Sequence, residues 1–376
     1  MVAKSRVVTV VLHVVTRTNI GGVSNYLENL INNWNNSNFS HVIVRGTPII
    51  SEGDYFVTHP VNAQILDIES LQRSVNPLKE IRALLQIVRV IRVVKPTIVH
   101  THMAKAGVIG RLAAWICRTP IRIHTFHGHL LQGYFSPPVV WLIVRIERLF
   151  QHITSWSITN GENVRQDLIQ HRVIGVESSS NIPPGVPLPT VCASPTDQRY
   201  HQAQRTVPTA GFVGRLAAVK RPDRFIECAR ALPQYNFVMF GDGPLSKQIK
   251  LATKDLLNLR LAGWVSDTTT IYRDIDVLVL TSDNEAAAVV LIEAAMAGIP
   301  VVAMKVGAVS EVVVDQETGY LANSEHELIV ALDHLLNNPD LRHRLGSKAR
   351  SHARENFTTS RLVQSHDELY TRLLTP

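Results

Sequence analysis

Cysteine is scarce in this chain of 376 residues. Cys117, Cys192 and Cys228 are three, an odd number with no close pairing. That argues against a disulfide framework and for free thiols in a reducing cytoplasm. Long apolar runs are missing as well: none approaches the ~18 residues a membrane-spanning helix needs. The N-terminal stretch Val7 to Val15, behind Lys4 and Arg6, lacks a small-residue cleavage site and runs on toward Gly21-Gly22. It reads as a first buried strand rather than a signal peptide. No short-period repeat is present. Zinc-finger spacing and an RNA-binding aromatic signature are both absent, so nucleic acid is not expected as a partner. Gly21-Gly22 is half of a dinucleotide fingerprint whose full G-x-G-x-x-G is missing, and nicotinamide binding is not expected either.

Hydrophobic residues make up 45% of the chain and charged residues 18%, a globular composition. The length favours two domains. The formal net charge of +7 favours anionic partners such as phosphates or an acidic membrane surface. Along the chain, strand-like and helix-like runs alternate from Val7 to Thr159. The pattern breaks at 180–187, passes through a polar stretch from Val191 to Val207, and restarts at Ala210. This is βαβ grammar twice over, and it predicts two doubly wound parallel sheets with the largest ligand site in the cleft between them. The expected divisions are a first domain over 1–187, a linker over 188–207, a second domain over 208–355 and a C-terminal helix over 356–376.

Glu285 and Glu293 stand apart from the rest. One follows the buried run Val277 to Leu280; the other lies inside the helix expected over Val289 to Ala297, closed by Gly298 and Pro300. Eight residues of helix rise about 12 Å, a separation suited to one extended ligand with hydroxyls at both ends. Gly214-Arg215 and Lys220 lie between another strand end and the next helix, where two cations can hold a diphosphate. Gly241 sits in a Gly-Asp-Gly-Pro turn, where a backbone role and ligand proximity are equally open. Gly21 and Gly22 read either as an anion nest or as a plain strand-to-helix turn. His127, before Gly128, reads as a polar group donating to a sugar hydroxyl, with His100 and His102 framing the same pocket unless they are satisfied core histidines. No metal site is expected, because no cysteine or carboxylate completes His124, His127 and His129. The basic, apolar segments Pro77–Lys95 and Tyr134–Arg148 read as packed helices with a basic face, or as contacts to an anionic membrane.

Taken together, GFVGRLAAVKRPDRFI, FGDGP, AGWVSD, the paired glutamates and VGAVSEVVVDQETGYL resemble the C-terminal half of the family 4 glycosyltransferases. GGVSNYLENL, VHTHMAKAGVIGRLAA and HTFHGHLLQGYF are similar to their N-terminal half. The resemblance implies a GT-B fold with two Rossmann-like domains facing across a cleft. It implies a retaining transferase that moves a hexose or N-acetylhexosamine from a nucleotide diphosphate sugar, UDP-linked, to a saccharide or polyprenyl-linked acceptor in cell-surface polysaccharide synthesis. No cofactor beyond the donor is implied. By the same resemblance Glu285 contacts the donor sugar and Glu293 the ribose. Arg215 and Lys220 hold the diphosphate, with Gly21, Gly22, Gly214 and Gly241 beside it. Backbone near Val265 holds the base, Ala288 and Val289 offer N–H groups to phosphate, and His127 touches the sugar near the reacting centre. The sequence departs from the family at Ala286-Ala287-Ala288, where a glycine turn is usual. Three alanines favour carrying the helix backward toward Glu285. A nucleotide-sugar epimerase of the same fold, or a weakened donor-binding subunit, stand as alternatives.

Overall fold

A computed structural model describes residues 8–19, 21–48, 53–72, 74, 76–128, 136–188, 207–265, 267–285 and 288–375. The chain divides into two compact units, residues 8–185 with 359–375 and residues 186–358. The first carries seven parallel strands: β1 (Thr9–Val15), β2 (Phe39–Gly46), β3 (Gln64–Ile68), β4 (Ile98–His102), β5 (Ile121–Phe126), β6 (Trp156–Thr159) and β7 (Ser179–Asn181). Their order is β3-β2-β1-β4-β5-β6-β7. The second carries β8 (Thr209–Val213), β9 (Asn236–Phe240), β10 (Leu259–Gly263), β11 (Val277–Leu280), β12 (Val301–Met304) and β13 (Gly319–Ala322), ordered β10-β9-β8-β11-β12-β13.

Both sheets are covered on both faces, which is why their inner strands are near-continuous apolar runs. All four residues of β11 are buried. Along β1, Leu12 and Val14 enter one core, while Val11 and Val15 enter those of the opposite face. His13 therefore points to the side of Val11. That side is closed by helix Gly22–Asn32 and by helix Thr359–Leu374, through Tyr26, Leu30, Leu362, Leu369 and Tyr370. In each sheet the strand order reverses once, between β1 and β4 and between β8 and β11. The crevice beyond the carboxyl ends of those strands is where open α/β sheets bind ligands.

Helices Pro77–Val94, Pro222–Ala231 and Val289–Ala297 have the bounds that their sequence signals indicate. Pro77 opens the first, and the Asn76 side chain accepts from the N–H groups of Leu78 and Lys79. Three strands are additions to the expected pattern: β3, β7 and β13. All three are edge strands. An edge strand is short and half-solvated, so it needs no apolar run to announce it. Helices Glu162–Gln170 and Thr268–Asp274 are additions too, and their polar composition hides them. Cys117 and Cys228 are free thiols; Cys192 lies outside the described residues, as do most of the expected linker, His129, Tyr134 and Phe135. Among the described residues no helix is long and apolar enough to cross a membrane.

Candidate functional site

The second unit brings two of the sequence candidates into direct contact. Lys220 ends the short turn after β8, and Glu285 lies in the loop after β11, so both stand at the switch point. Lys220 Nζ donates to Glu285 Oε1 at 2.5 Å, and Ser282 Oγ donates to the same oxygen at 2.6 Å. Glu285 is 8% exposed and the Lys220 side chain 27%. The two loops are tied together by backbone and side chain. Thr281 Oγ1 donates to Lys220 O, the N–H of Asp283 donates to Val219 O, and Arg224 reaches both Thr281 O and Asp283. Arg215 is exposed on the same strand-end loop.

Gly307 fixes the Glu285 backbone from the other side. It has φ 52°, and a Cβ there would fall 1.9 Å from Glu285 O. The N–H of Ala308 donates to that carbonyl at 3.0 Å. This bond explains a correction. The alanine run was expected to carry the helix back toward Glu285, but the helix begins at Val289 and Ala288 is extended, with φ −68° and ψ 113°. The Glu285 carbonyl is instead turned toward the Gly307-Ala308 step, where the N–H of Ala308 holds it, rather than along the axis of the Val289 helix. Ala286 and Ala287 lie outside the described residues. No side chain caps the N-terminus at Ala288, so the N–H groups of Val289 and Val290 face outward from the helix start without a side-chain acceptor among the described residues.

Glu293, about one turn into that helix, accepts from Tyr272 Oη at 2.9 Å, and burial pushes its carboxyl up to about 7. The helix is anchored at its far end by Gly298 at φ 74°, and Arg350 donates to Ala297 O at 2.6 Å. Val265 is half-buried against the core below, with Trp264 exposed beside it. The glycines separate into two kinds. Gly241 has φ 133°, and a Cβ there would fall 1.9 Å from Gly214 O, so it serves the packing of two strand-end loops. At Gly21 and Gly214 a Cβ would meet nothing nearer than 4.0 and 3.8 Å, so packing within the units does not demand glycine there. Gly22 is the first residue of its helix.

In the first unit, His127 follows β5 and is half-buried. Its ring stands edge-on to Tyr26, with centroids 4.8 Å apart, and its Nε2 is 2.9 Å from His102 Nδ1. Burial lowers its pKa to about 3, so it is a neutral hydrogen-bonding ring. Of the two readings open for His100 and His102, the structure supports satisfied core histidines: both are fully buried. They sit at alternate positions of β4 on the face that Thr359–Leu374 covers. His100 bonds Tyr370 Oη and Thr125 Oγ1, each at 2.6 Å. His124 lies on the opposite face and bonds Thr101 Oγ1 at 2.9 Å. His13, which no sequence motif singled out, joins His100 and His102 with ring nitrogens within 4.8 Å of one another. Each of those nitrogens already has a hydrogen-bond partner.

Comparison with known proteins gives this geometry a family. The model described as "Glycosyltransferase Family 4" matches residues 20–188, and "Glycosyl transferases group 1" matches residues 194–352. The chain is similar to the UDP-Gal:alpha-D-GlcNAc-diphosphoundecaprenol alpha-1,3-galactosyltransferase of Escherichia coli. They are 26% identical over 268 residues, which is 68% of this chain and 69% of that protein. It is also similar to the capsular polysaccharide biosynthesis glycosyltransferase CapM of Staphylococcus aureus, at 24% identity over 83% of this chain and 86% of that one. Among solved structures, Anabaena Alr3699/HepE in complex with UDP and glucose superposes with a TM-score of 0.81. Identity there is 19%, with 97% of this chain and 100% of that chain covered.

Proposed function

Because the chain belongs to the family 4 glycosyltransferases and has their GT-B fold, we propose that it transfers a hexose or N-acetylhexosamine from a UDP-sugar, with retention, to a lipid-linked or other saccharide acceptor in cell-surface polysaccharide synthesis. The observation that carries this reading is the Lys220–Glu285 contact at the switch point of the second sheet, with Arg215 exposed on the loop that leads to Lys220 and Glu293 in the helix that follows Glu285. The names of the Escherichia coli and Staphylococcus aureus relatives, and the UDP and glucose in the Anabaena complex, agree with it.

On this reading the acceptor hydroxyl attacks the anomeric carbon on the face that the diphosphate leaves. The bond from that carbon to the phosphate oxygen breaks and its electron pair stays on the diphosphate. The hydroxyl proton follows to a phosphate oxygen, and the ring acquires oxocarbenium character as in glycoside hydrolysis. Arg215, Lys220 and the uncapped helix start at Ala288-Val289 meet the negative charge as it grows. Those groups supply the stabilisation without a divalent metal. Glu285 holds Lys220 in place and faces the sugar, and His127 offers a neutral hydrogen bond to a sugar hydroxyl. Incubation with UDP-, GDP- and dTDP-sugars and lipid-linked acceptors tests the proposal. A product with the donor's anomeric configuration, read by NMR coupling constants, is expected; an epimerised free donor without transfer would sink it.

An anionic membrane surface completes the proposal. In helix Pro137–Gln151 only Val144 and Glu147 are buried. Trp141 is 60% exposed and Leu149 68%. Arg145 stacks over the Trp141 ring at 4.7 Å, and Arg148 lies along the same groove. Apolar side chains interleaved with arginines suit an acidic headgroup layer. Co-flotation with vesicles containing phosphatidylglycerol, lost in Trp141→Ser/Leu149→Ser, is the expected result. Equal recovery with neutral vesicles would count against it.

A further inference from the structure

Four imidazoles of the first unit form one head-to-tail line. His127 Nε2 meets His102 Nδ1 at 2.9 Å, His102 Nε2 meets His13 Nδ1 at 3.1 Å, and His13 Nε2 meets His41 Nδ1 at 3.0 Å. Every link therefore runs from Nε2 of one ring to Nδ1 of the next. The sheet produces this arrangement: His41, His13 and His102 come from the neighbouring strands β2, β1 and β4, all facing the side that Thr359–Leu374 covers. His100 lies against His13 and His102 with its ring tilted to both, but its nitrogens go to Tyr370 and Thr125, so it does not branch the line. His366 is engaged by Tyr26 Oη and Leu362 O.

A neutral imidazole carries one N–H and one lone pair. Burial lowers the pKa of all four rings, His41 to about 4 and His127 to about 3. Four neutral rings hold four protons. Three links use one proton each, and the fourth must sit at one end, on His127 Nδ1 or on His41 Nε2. The His41 end decides between them. His41 Nε2 is buried with no hydrogen-bond partner among the described residues. A buried N–H without an acceptor is rarer than an under-satisfied acceptor, so the proton belongs at the His127 end.

We infer that His41, His13 and His102 are positioning residues that together hold His127 as its Nδ1–H tautomer, so that this ring presents an N–H rather than a lone pair. The consequence for turnover rests on the proposed contact between His127 and the donor sugar; the tautomer itself does not. A partner at position 41 that only accepts reverses every link. The protons of His13, His102 and His127 then move to Nε2, and His127 Nδ1 is left bare.

Long-range ¹H–¹⁵N correlation on the full chain, labelled in the histidine rings and assigned through single-site variants, reads the tautomers directly. In the wild type His127, His102, His13 and His41 are expected to be neutral and all Nδ1–H at neutral pH. Any of the four found as Nε2–H or as imidazolium overturns the inference. In His41→Asp, His102 and His127 are expected to switch to Nε2–H although position 41 touches neither. kcat/KM for transfer then falls about fivefold, the worth of one neutral hydrogen bond, while UDP affinity is unchanged. Unmoved His102 and His127 resonances in that variant overturn the chain. A tautomer switch with unchanged kcat/KM supports the chain and removes His127 from the sugar contact.

Discussion

Glu293→Gln separates binding from stability in a way that pH makes visible. Burial raises the Glu293 carboxyl from 4.5 to about 7, and the nearest polar partner is Tyr272 Oη at 2.9 Å. The folded chain therefore keeps a proton on Glu293 between those values while the unfolded chain releases it. Stability is lost as pH rises through that window. At 1.36 kcal/mol per unit the ceiling is about 3 kcal/mol, and partial exposure of the side chain reduces this to about 1–2 kcal/mol. Gln is isosteric with the protonated acid and does not titrate. The variant should match the wild type below pH 4.5 and become more stable by that amount above pH 7. Affinity should move the other way. If the ionised carboxylate accepts the ribose hydroxyls, wild-type affinity for a UDP-sugar weakens about tenfold from pH 8 to pH 6, since one pH unit below a pKa leaves about a tenth of the group ionised. Calorimetric titration without acceptor, beside urea unfolding over pH 5–8, measures both. UDP-sugar is the right probe because its phosphates do not titrate in this range. A stability gain that is the same at pH 5 and pH 8, or a Gln variant that binds as tightly as the wild type at pH 8, would refute the reasoning.

Lys220→Met leaves Glu285 with Ser282 as its remaining side-chain donor; kcat should fall about 100-fold, the worth of one group aimed at developing charge, as followed by UDP release. Gly307→Ala places a Cβ 1.9 Å from Glu285 O at a left-handed φ of 52°. It should lower kcat/KM at least about tenfold and destabilise the second unit by about 1–3 kcal/mol, and full activity in this variant would show that the Glu285 backbone is not fixed from that side. Ala286→Gly should raise kcat if the missing glycine limits how the diphosphate is seated; an unchanged kcat in steady-state assays would show that alanine is tolerated.

The elements that the sequence announces are those whose burial demands it. β11 is four apolar residues between polar loops because both its faces are covered, and the Val289–Ala297 helix ends in a glycine because its C-cap has φ 74°. Edge strands β3, β7 and β13 escape because solvent covers part of what packing would otherwise specify. The same division runs through the site. Glu285, Lys220 and Arg215 are legible because charged residues at the ends of apolar strands have few structural reasons to be there. The role of Gly307 is not legible, since φ is not written in a Val-Gly-Ala step. His127 was found through its place beside Gly128 at a strand end, whereas His13 and His41 each read as one polar residue in an apolar strand. A signal did exist: His13, His41, His100 and His102 all fall on strand positions where Val or Ile would be the economical choice for a covered face. A strand's period of two says only that each faces one side or the other. The order β2-β1-β4 and the register that pairs Val15 with His102 turn these separate residues into one hydrogen-bonded line, and that order belongs to the sheet rather than to any segment of it.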